Sequence, residues 1–151
     1  MYKWTYQTDI GEITIGANAN SITYLKTYDV FSGEFKETEL IQDAYLQLVG
    51  YLSGKLHSFD LPIETTGTDF RKQVWRATGQ IPYGQTLSYK ELAQKIGNPK
   101  AIRAVGAANG KNPIYIIIPC HRVIGSNGKL IGYAGGLDIK EKLLKIEGVV
   151  I

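Results

Sequence analysis

Apolar and polar residues alternate from Tyr2 to Thr8 and again over residues 12–19, with Asp9-Ile10-Gly11 between the two runs. Alternation turns one face of a strand to a core and the other to solvent, and the glycine-containing break predicts a turn. Asn18-Ala19-Asn20 predicts a second turn and residues 21–28 a third strand, so the chain opens as an antiparallel meander. The period then changes. Leu40, Ala44, Leu48, Tyr51 and Leu52 recur at helical spacing and stop at Ser53-Gly54. Residues 59–63 read as an extended link, and Thr65-Thr66-Gly67 closes this β-rich first section.

Helical periods dominate after that. Phe70, Val74 and Trp75 share one face of a helix predicted over residues 69–78 and ended by Gly79. Ile81-Pro82-Tyr83-Gly84 is a turn. Ser88 and Glu91 have the spacing of a capping box, in which the serine and glutamate each satisfy a backbone N–H at the helix start. Leu92, Ala93 and Ile96 follow on that helix, and Gly97 stops it. Asn98-Pro99 reads as an N-cap followed by proline at the first helical position, so a further helix is expected from there through Ala108. Two short helices around a glycine turn form a helix-turn-helix candidate, although an ordinary helical hairpin has the same pattern. A last helix is expected over residues 138–147, with Ile139, Leu143 and Ile146 inward and Gly148 as its stop. The expected division is a support domain over residues 1–67 and a second domain over residues 68–151.

Charge sharpens that division. Residues 1–67 hold four Lys/Arg against nine Asp/Glu, a net −5, and residues 68–151 hold thirteen against five, a net +8. A basic half suggests a polyanionic partner, with a solvated basic surface as the plainer explanation. Small residues on the second helix of the hairpin would let its backbone approach a groove. One cysteine rules out an internal disulfide, and one Cys with two His (His57 and His121) rules out a Cys- and His-rich zinc site. The longest strongly apolar run, residues 114–118, is far below membrane-spanning length. The start of the chain reads as a strand and not as a signal peptide. A cytoplasmic protein of prokaryotic type, without membrane association, is the expectation.

The chemistry concentrates at Pro119-Cys120-His121-Arg122. A thiol attacks as the thiolate, and a neighbouring imidazole can take its proton. By itself the Cys-His pair fits a buried structural thiol slightly better than a nucleophile.

The wider sequence reverses that order. Residues 109–125, around Cys120, resemble the O6-alkylguanine-DNA alkyltransferases, as do Gly132-Tyr133-Ala134-Gly135-Gly136-Leu137 and residues 142–148. Residues 81–89 and 97–106 are similar to the same family in the same order. The resemblance covers about residues 70–148, while residues 1–67 agree only in general layout. It implies an α+β fold: a small N-terminal antiparallel sheet with a helix, ribonuclease H-like, then a mainly helical domain with a winged helix-turn-helix. It also implies the reaction. The protein binds double-stranded DNA, turns out an O6-alkylguanine (or O4-alkylthymine), and moves the alkyl group irreversibly to its own cysteine, once per molecule. No cofactor, metal or obligate protein partner is implied, and the protein is expected to act as a monomer.

The resemblance assigns roles residue by residue. Cys120 is the nucleophile, His121 its base through a water, and Glu147 the carboxylate that orients His121. Asn112 is a hinge beside the cysteine loop. Tyr89 contacts the guanine and gives a proton as the base leaves. Tyr133 is an aromatic wall, and the backbone N–H of Ala134 meets the guanine oxygen. Pro119, Val123 and Gly135 complete the pocket, and the carbonyls of Cys120 and Val123 receive the exocyclic amine. Arg103 fills the stack where the flipped base was. Ser88, Ala101, Ile102 and Gly106 join it as DNA contacts, with the recognition helix in the minor groove, where sequence is read poorly. Zinc ligands and an added cysteine-rich domain, which some members carry, are missing from this chain, which argues against a methylation-triggered regulator. Two other classes stay open on the residues alone: a lesion-binding helix-turn-helix protein with an inert Cys120, and a cysteine hydrolase using Cys120, His121 and Glu147.

Overall fold

Strands β1 (Tyr2–Thr8), β2 (Gly11–Ala17) and β3 (Ile22–Lys26) form the expected antiparallel meander. The computed structural model describes residues 1–130, 133 and 135–150. Sheet order is β3-β2-β1-β4, and the fourth strand, β4 (Glu34–Phe35), runs parallel to β1. Its two residues are too few to show a period in the sequence. The central strand β2 is buried without a break from Ile13 to Ala17, because both of its faces are covered. One cover is helix α1 (Glu39–Leu52), capped by Thr38 and buried through Ile41, Ala44, Leu48, Tyr51 and Leu52. The other includes Phe31, whose ring lies where a side chain at Gly16 would stand, 2.7 Å from its ideal Cβ. The segment Pro113–Tyr115 belongs to this first unit with Met1–Thr65. It lies along β3, with Leu25 donating to the Pro113 carbonyl and Tyr115 donating back to Leu25.

The second unit comprises Thr66–Asn112 and Ile116–Ile151. Helix α2 (Asp69–Gly79) is capped by Thr68. Strand β5 (Leu87–Ser88) pairs in parallel with β6 (Val123–Ile124). Between them run α3 (Tyr89–Lys95) and α4 (Ile102–Gly110), joined through Gly97 at φ +78°. The core joins Val74, Ile81, Leu92, Ala93, Val105, Ala108 and Val123, and each fully buried Val, Leu or Ile side chain contributes about 1.5–3 kcal/mol. The Trp75 indole N–H donates to the Ala108 carbonyl at 2.8 Å, which ties α2 to α4. Helix α5 (Leu137–Ile146) completes the unit.

Two expectations need correction. The helix expected from Asn98-Pro99 begins at Ile102, and Ala101 is its N-cap. Ala101 N–H donates to the Asn98 carbonyl at 3.0 Å, so Asn98 and Pro99 open a β-turn, in which proline suits the second position. On α5 the fully buried residues are Lys140, Leu143 and Leu144, while Ile139 and Ile146 are half-buried. The apolar-stripe reading assigned no inward place to a lysine.

The capping box at the head of α3 is complete, with both Ser88 and Glu91 side chains bonded to backbone. Ser88→Ala is expected to cost about 1 kcal/mol, lowering Tm by about 2–4 °C, as a thermal melt would read directly.

Candidate active site

Cys120 opens a single 3₁₀ turn, Cys120–Arg122, that follows Pro119. The chain reaches it through Ile116, a buried β-branched residue at φ +73°, a left-handed conformation that costs roughly 1–2 kcal/mol for an L-residue. The thiol is 3% exposed. The Asn112 side-chain amide, fully buried, donates to Sγ at 3.0 Å and to the Ile118 carbonyl at 2.9 Å. Asn109 donates to the Cys120 carbonyl at 3.4 Å. Burial pushes the thiol up to about 11, against the opposing pull of the Asn112 hydrogen bond, the Lys140 charge and a Tyr133 hydrogen bond. The resting sulfur is therefore protonated at neutral pH and needs a base to become a nucleophile.

The next residue in the chain is the buried His121. Glu147 caps the C-terminus of α5 and is buried. Its carboxylate accepts from Gly84 N at 3.0 Å, from Arg122 Nε at 2.9 Å and Nη2 at 3.0 Å, and from His121 Nε2 at 2.6 Å. Arg122 also donates through Nη1 to the Ile81 carbonyl at 2.6 Å, and its guanidinium lies 5.8 Å from the Tyr83 ring centre. A carboxylate clamped by a bidentate guanidinium stays ionised. It has no proton to give, so Nε2 carries the hydrogen and Nδ1 is the acceptor nitrogen. Burial lowers the His121 pKa below its ordinary 6.5; Glu147 pulls it up, and Arg122 and Lys140 push it down. The imidazole is thus neutral at pH 7, the state a base requires. Proton acceptance by His121 is expected to persist to pH values below 6.5, so the acid limb of a Cys120 reactivity profile should lie under that of an ordinary histidine.

The other expected site residues are placed one by one. Tyr89 is the first residue of α3 and is buried; burial raises its hydroxyl pKa, and a hydrogen bond with Asn109 opposes that. Pro119, Val123 and Tyr133 are buried and Gly135 is half-buried. Ala134 lies outside the described residues. The Val123 carbonyl accepts from Lys140 Nζ at 2.6 Å, and the Lys140 ammonium stands 5.9 Å from the Tyr89 ring centre. Arg103 and Ile102 are exposed on the first turn of α4, opposite buried Val105, Ala108 and Asn109. Gly106 is half-buried, and a Cβ there would meet the Tyr89 ring at 3.8 Å. Ser88 is buried with its hydroxyl committed to the α3 cap, and Ala101 stands before the helix. Neither presents a polar side chain outward.

Sequence reasoning assigned no role to four residues that the structure places here. They are Asn109, Arg122, Lys140 and Tyr83, the last donating to the Ile146 carbonyl at 3.2 Å. Lys140 was readable, since positions 140, 143 and 144 share a helix face. Among the described residues no three His, Cys, Asp or Glu side chains are placed to hold a metal ion, and no helix is long and apolar enough to cross a membrane.

Known proteins agree over nearly the whole chain. Residues 69–149 match the 6-O-methylguanine DNA methyltransferase DNA-binding domain, and residues 1–65 match the ribonuclease-like domain of the same enzymes. A methylated-DNA–protein-cysteine methyltransferase of Methanosarcina acetivorans is 49% identical over 98% of this chain and 99% of its own length. The crystal structure of Mycobacterium tuberculosis OGT in complex with DNA superposes with a TM-score of 0.90 at 43% identity, over 97% of this chain and 92% of that one. Schizosaccharomyces pombe Atl1, bound to damaged DNA containing O6-carboxymethylguanine, is similar over 57% of this chain and 82% of its own, with 34% identity and a TM-score of 0.51. With family models matching residues 1–65 and 69–149 and a relative 49% identical over 98% of it, this chain belongs to the 6-O-methylguanine DNA methyltransferase family.

Proposed function

We propose that this chain repairs O6-alkylguanine in double-stranded DNA, and O4-alkylthymine by the same chemistry, by moving the alkyl group to Cys120 once per molecule. His121 Nδ1, through a water, takes the thiol proton. The sulfur attacks the alkyl carbon, the S–C bond forms as the C–O6 bond breaks, and the electron pair leaves with the guanine. Guanine anion is a poor leaving group, so Tyr89 gives it a proton. The imidazolium and phenolate left behind are restored by proton exchange with solvent. The thioether does not hydrolyse, which makes the reaction stoichiometric. Residues 68–151 carry binding and transfer in this account, and residues 1–67 support them. We place the protein in the cytoplasm, acting as a monomer.

One observation supports this reading above others: the buried Cys120 thiol shares its turn with a neutral histidine whose Nε2 is fixed by Glu147. The lesion-binding alternative leaves that arrangement without use. The test is a titration of duplex O6-methylguanine with the protein. Repaired DNA should plateau at one equivalent per protein molecule, whereas continued turnover would point to the hydrolase class and no repair to a binding module.

Arg103 supports base flipping from the exposed first turn of α4. Unstacking a base costs a few kcal/mol, so Arg103→Ala should slow repair in duplex DNA roughly tenfold or more while leaving reaction with free O6-alkylguanine base unchanged. Equal slowing of both substrates would make Arg103 a general support of the fold.

A further inference from the structure

Asn109 lies on the buried face of α4, beside Val105 and Ala108, with only 3% of its surface exposed. It is distinct from Asn112, whose amide holds the Cys120 sulfur. An asparagine amide offers two N–H donors and one carbonyl acceptor. Nδ2 donates to the Cys120 carbonyl at 3.4 Å, and a hydrogen bond links the side chain to the Tyr89 hydroxyl. Oδ1 is buried and has no partner among the described residues. The bond to Tyr89 therefore runs from Nδ2 to the hydroxyl oxygen, and both amide hydrogens are committed. The Tyr89 ring lies against the same helix, 3.8 Å from where a Cβ at Gly106 would stand.

A buried amide oxygen without a partner carries a cost that an apolar side chain of the same size avoids. Folding alone does not account for Asn109. What the amide supplies is a fixed donor between the turn that carries the nucleophile and the residue that gives the leaving group its proton.

Resting on the alkyl-transfer reading above, we propose that Asn109 is a positioning residue that, anchored on the Cys120 carbonyl, holds the Tyr89 hydroxyl for proton transfer to the leaving guanine. A hydroxyl whose oxygen accepts from Nδ2 points its own hydrogen away from the amide, and Oδ1 does not compete for that hydrogen. As the proton moves to guanine, negative charge grows on the Tyr89 oxygen. The Nδ2 hydrogen bond then becomes charge-assisted and strengthens. A donor aimed in advance at an atom where charge develops lowers the barrier without reorganising. It also offsets burial, which raises the Tyr89 pKa and so hinders release of the proton. No bond is made or broken at Asn109; the proton and the electron pair move as already described.

A residue that acts through another loses its effect when the other is removed. The experiment measures single-turnover transfer from duplex O6-methylguanine to the full-length native chain, Asn109→Leu, Tyr89→Phe and the double variant. Alongside, the Asn109 side-chain amide is followed by heteronuclear NMR in isotope-labelled native and Tyr89→Phe proteins. Asn109→Leu should be slower than the native chain by roughly tenfold. In the Tyr89→Phe background the same substitution should change the rate by less than about twofold. In the spectra, Tyr89→Phe should move an Asn109 amide hydrogen upfield, as loss of a hydrogen bond does.

Equal slowing by Asn109→Leu in both backgrounds would overturn the inference and leave Asn109 a support of the fold. So would an Asn109→Leu protein with the native rate. An Asn109 amide unmoved by Tyr89→Phe would overturn it too, and that result is readable even if no Asn109 variant folds. Absence of transfer by the native chain would instead refute the alkyl-transfer reading, while the amide spectrum still reports on the contact between Asn109 and Tyr89.

Discussion

Cys120→Ala should accept no methyl group from O6-methylguanine DNA and should bind that DNA as the native chain does. The sulfur is the atom to which the new bond forms, so no neighbour can replace it. Loss of the fold is not the expected cause. The substitution removes one buried atom, and Asn112 keeps its hydrogen bond to the Ile118 carbonyl at 2.9 Å. The alanine also relieves the site of a thiol that burial has already made hard to ionise. Binding and melting therefore separate from chemistry in this variant. A Cys120→Ala protein that still removed methyl groups would transfer the role to another residue.

Glu147→Ala should have the second largest effect, and it should act on stability and chemistry together. Removing the carboxylate strands the Arg122 guanidinium, the Gly84 N–H and the His121 Nε2 hydrogen in a buried site. Breaking a buried ion pair from one side costs about 3–5 kcal/mol. Glu147→Gln separates the two contributions. It keeps an oxygen for the Arg122 guanidinium and the Gly84 N–H, so more of the fold should survive. It removes the charge that holds the Nε2 tautomer and supports the imidazolium. General-base assistance is worth roughly 10²–10⁴ in rate, and Glu147→Gln should lose transfer within that range while remaining folded by circular dichroism. Native transfer by the Gln variant would mean that the 2.6 Å contact only packs the helix end.

The sequence carried the local parts of this fold more legibly than the distant ones. Alternation over residues 2–8 and the capping box at Ser88 and Glu91 depend on neighbours a few residues apart, and both elements appear where the pattern puts them. Strand β4 did not, because two residues have no period and their pairing with β1 is set by the chain between them. Asn98-Pro99 carries the same residue types at a helix start and at a β-turn, and the turn closes here through Ala101. The site divides in the same way. Cys120 and His121 are adjacent, so their pairing was visible at once. Glu147 lies far along the chain and came only through family resemblance, since no local pattern links it to Cys120. Arg122 stood in the motif, but its bidentate hold on Glu147 joins the 3₁₀ turn to the end of α5. Lys140 broke the apolar stripe of α5, and that break was the available sign of a buried charge.

Intact mass after mixing the protein with duplex DNA carrying one O6-methylguanine tests the central claim most directly. The account predicts a gain of one methylene per protein molecule, located in the Cys120 peptide, complete at one equivalent of DNA and absent in Cys120→Ala. An unchanged protein mass with the DNA bound and its lesion intact would contradict it, leaving a protein that recognises the damage without repairing it.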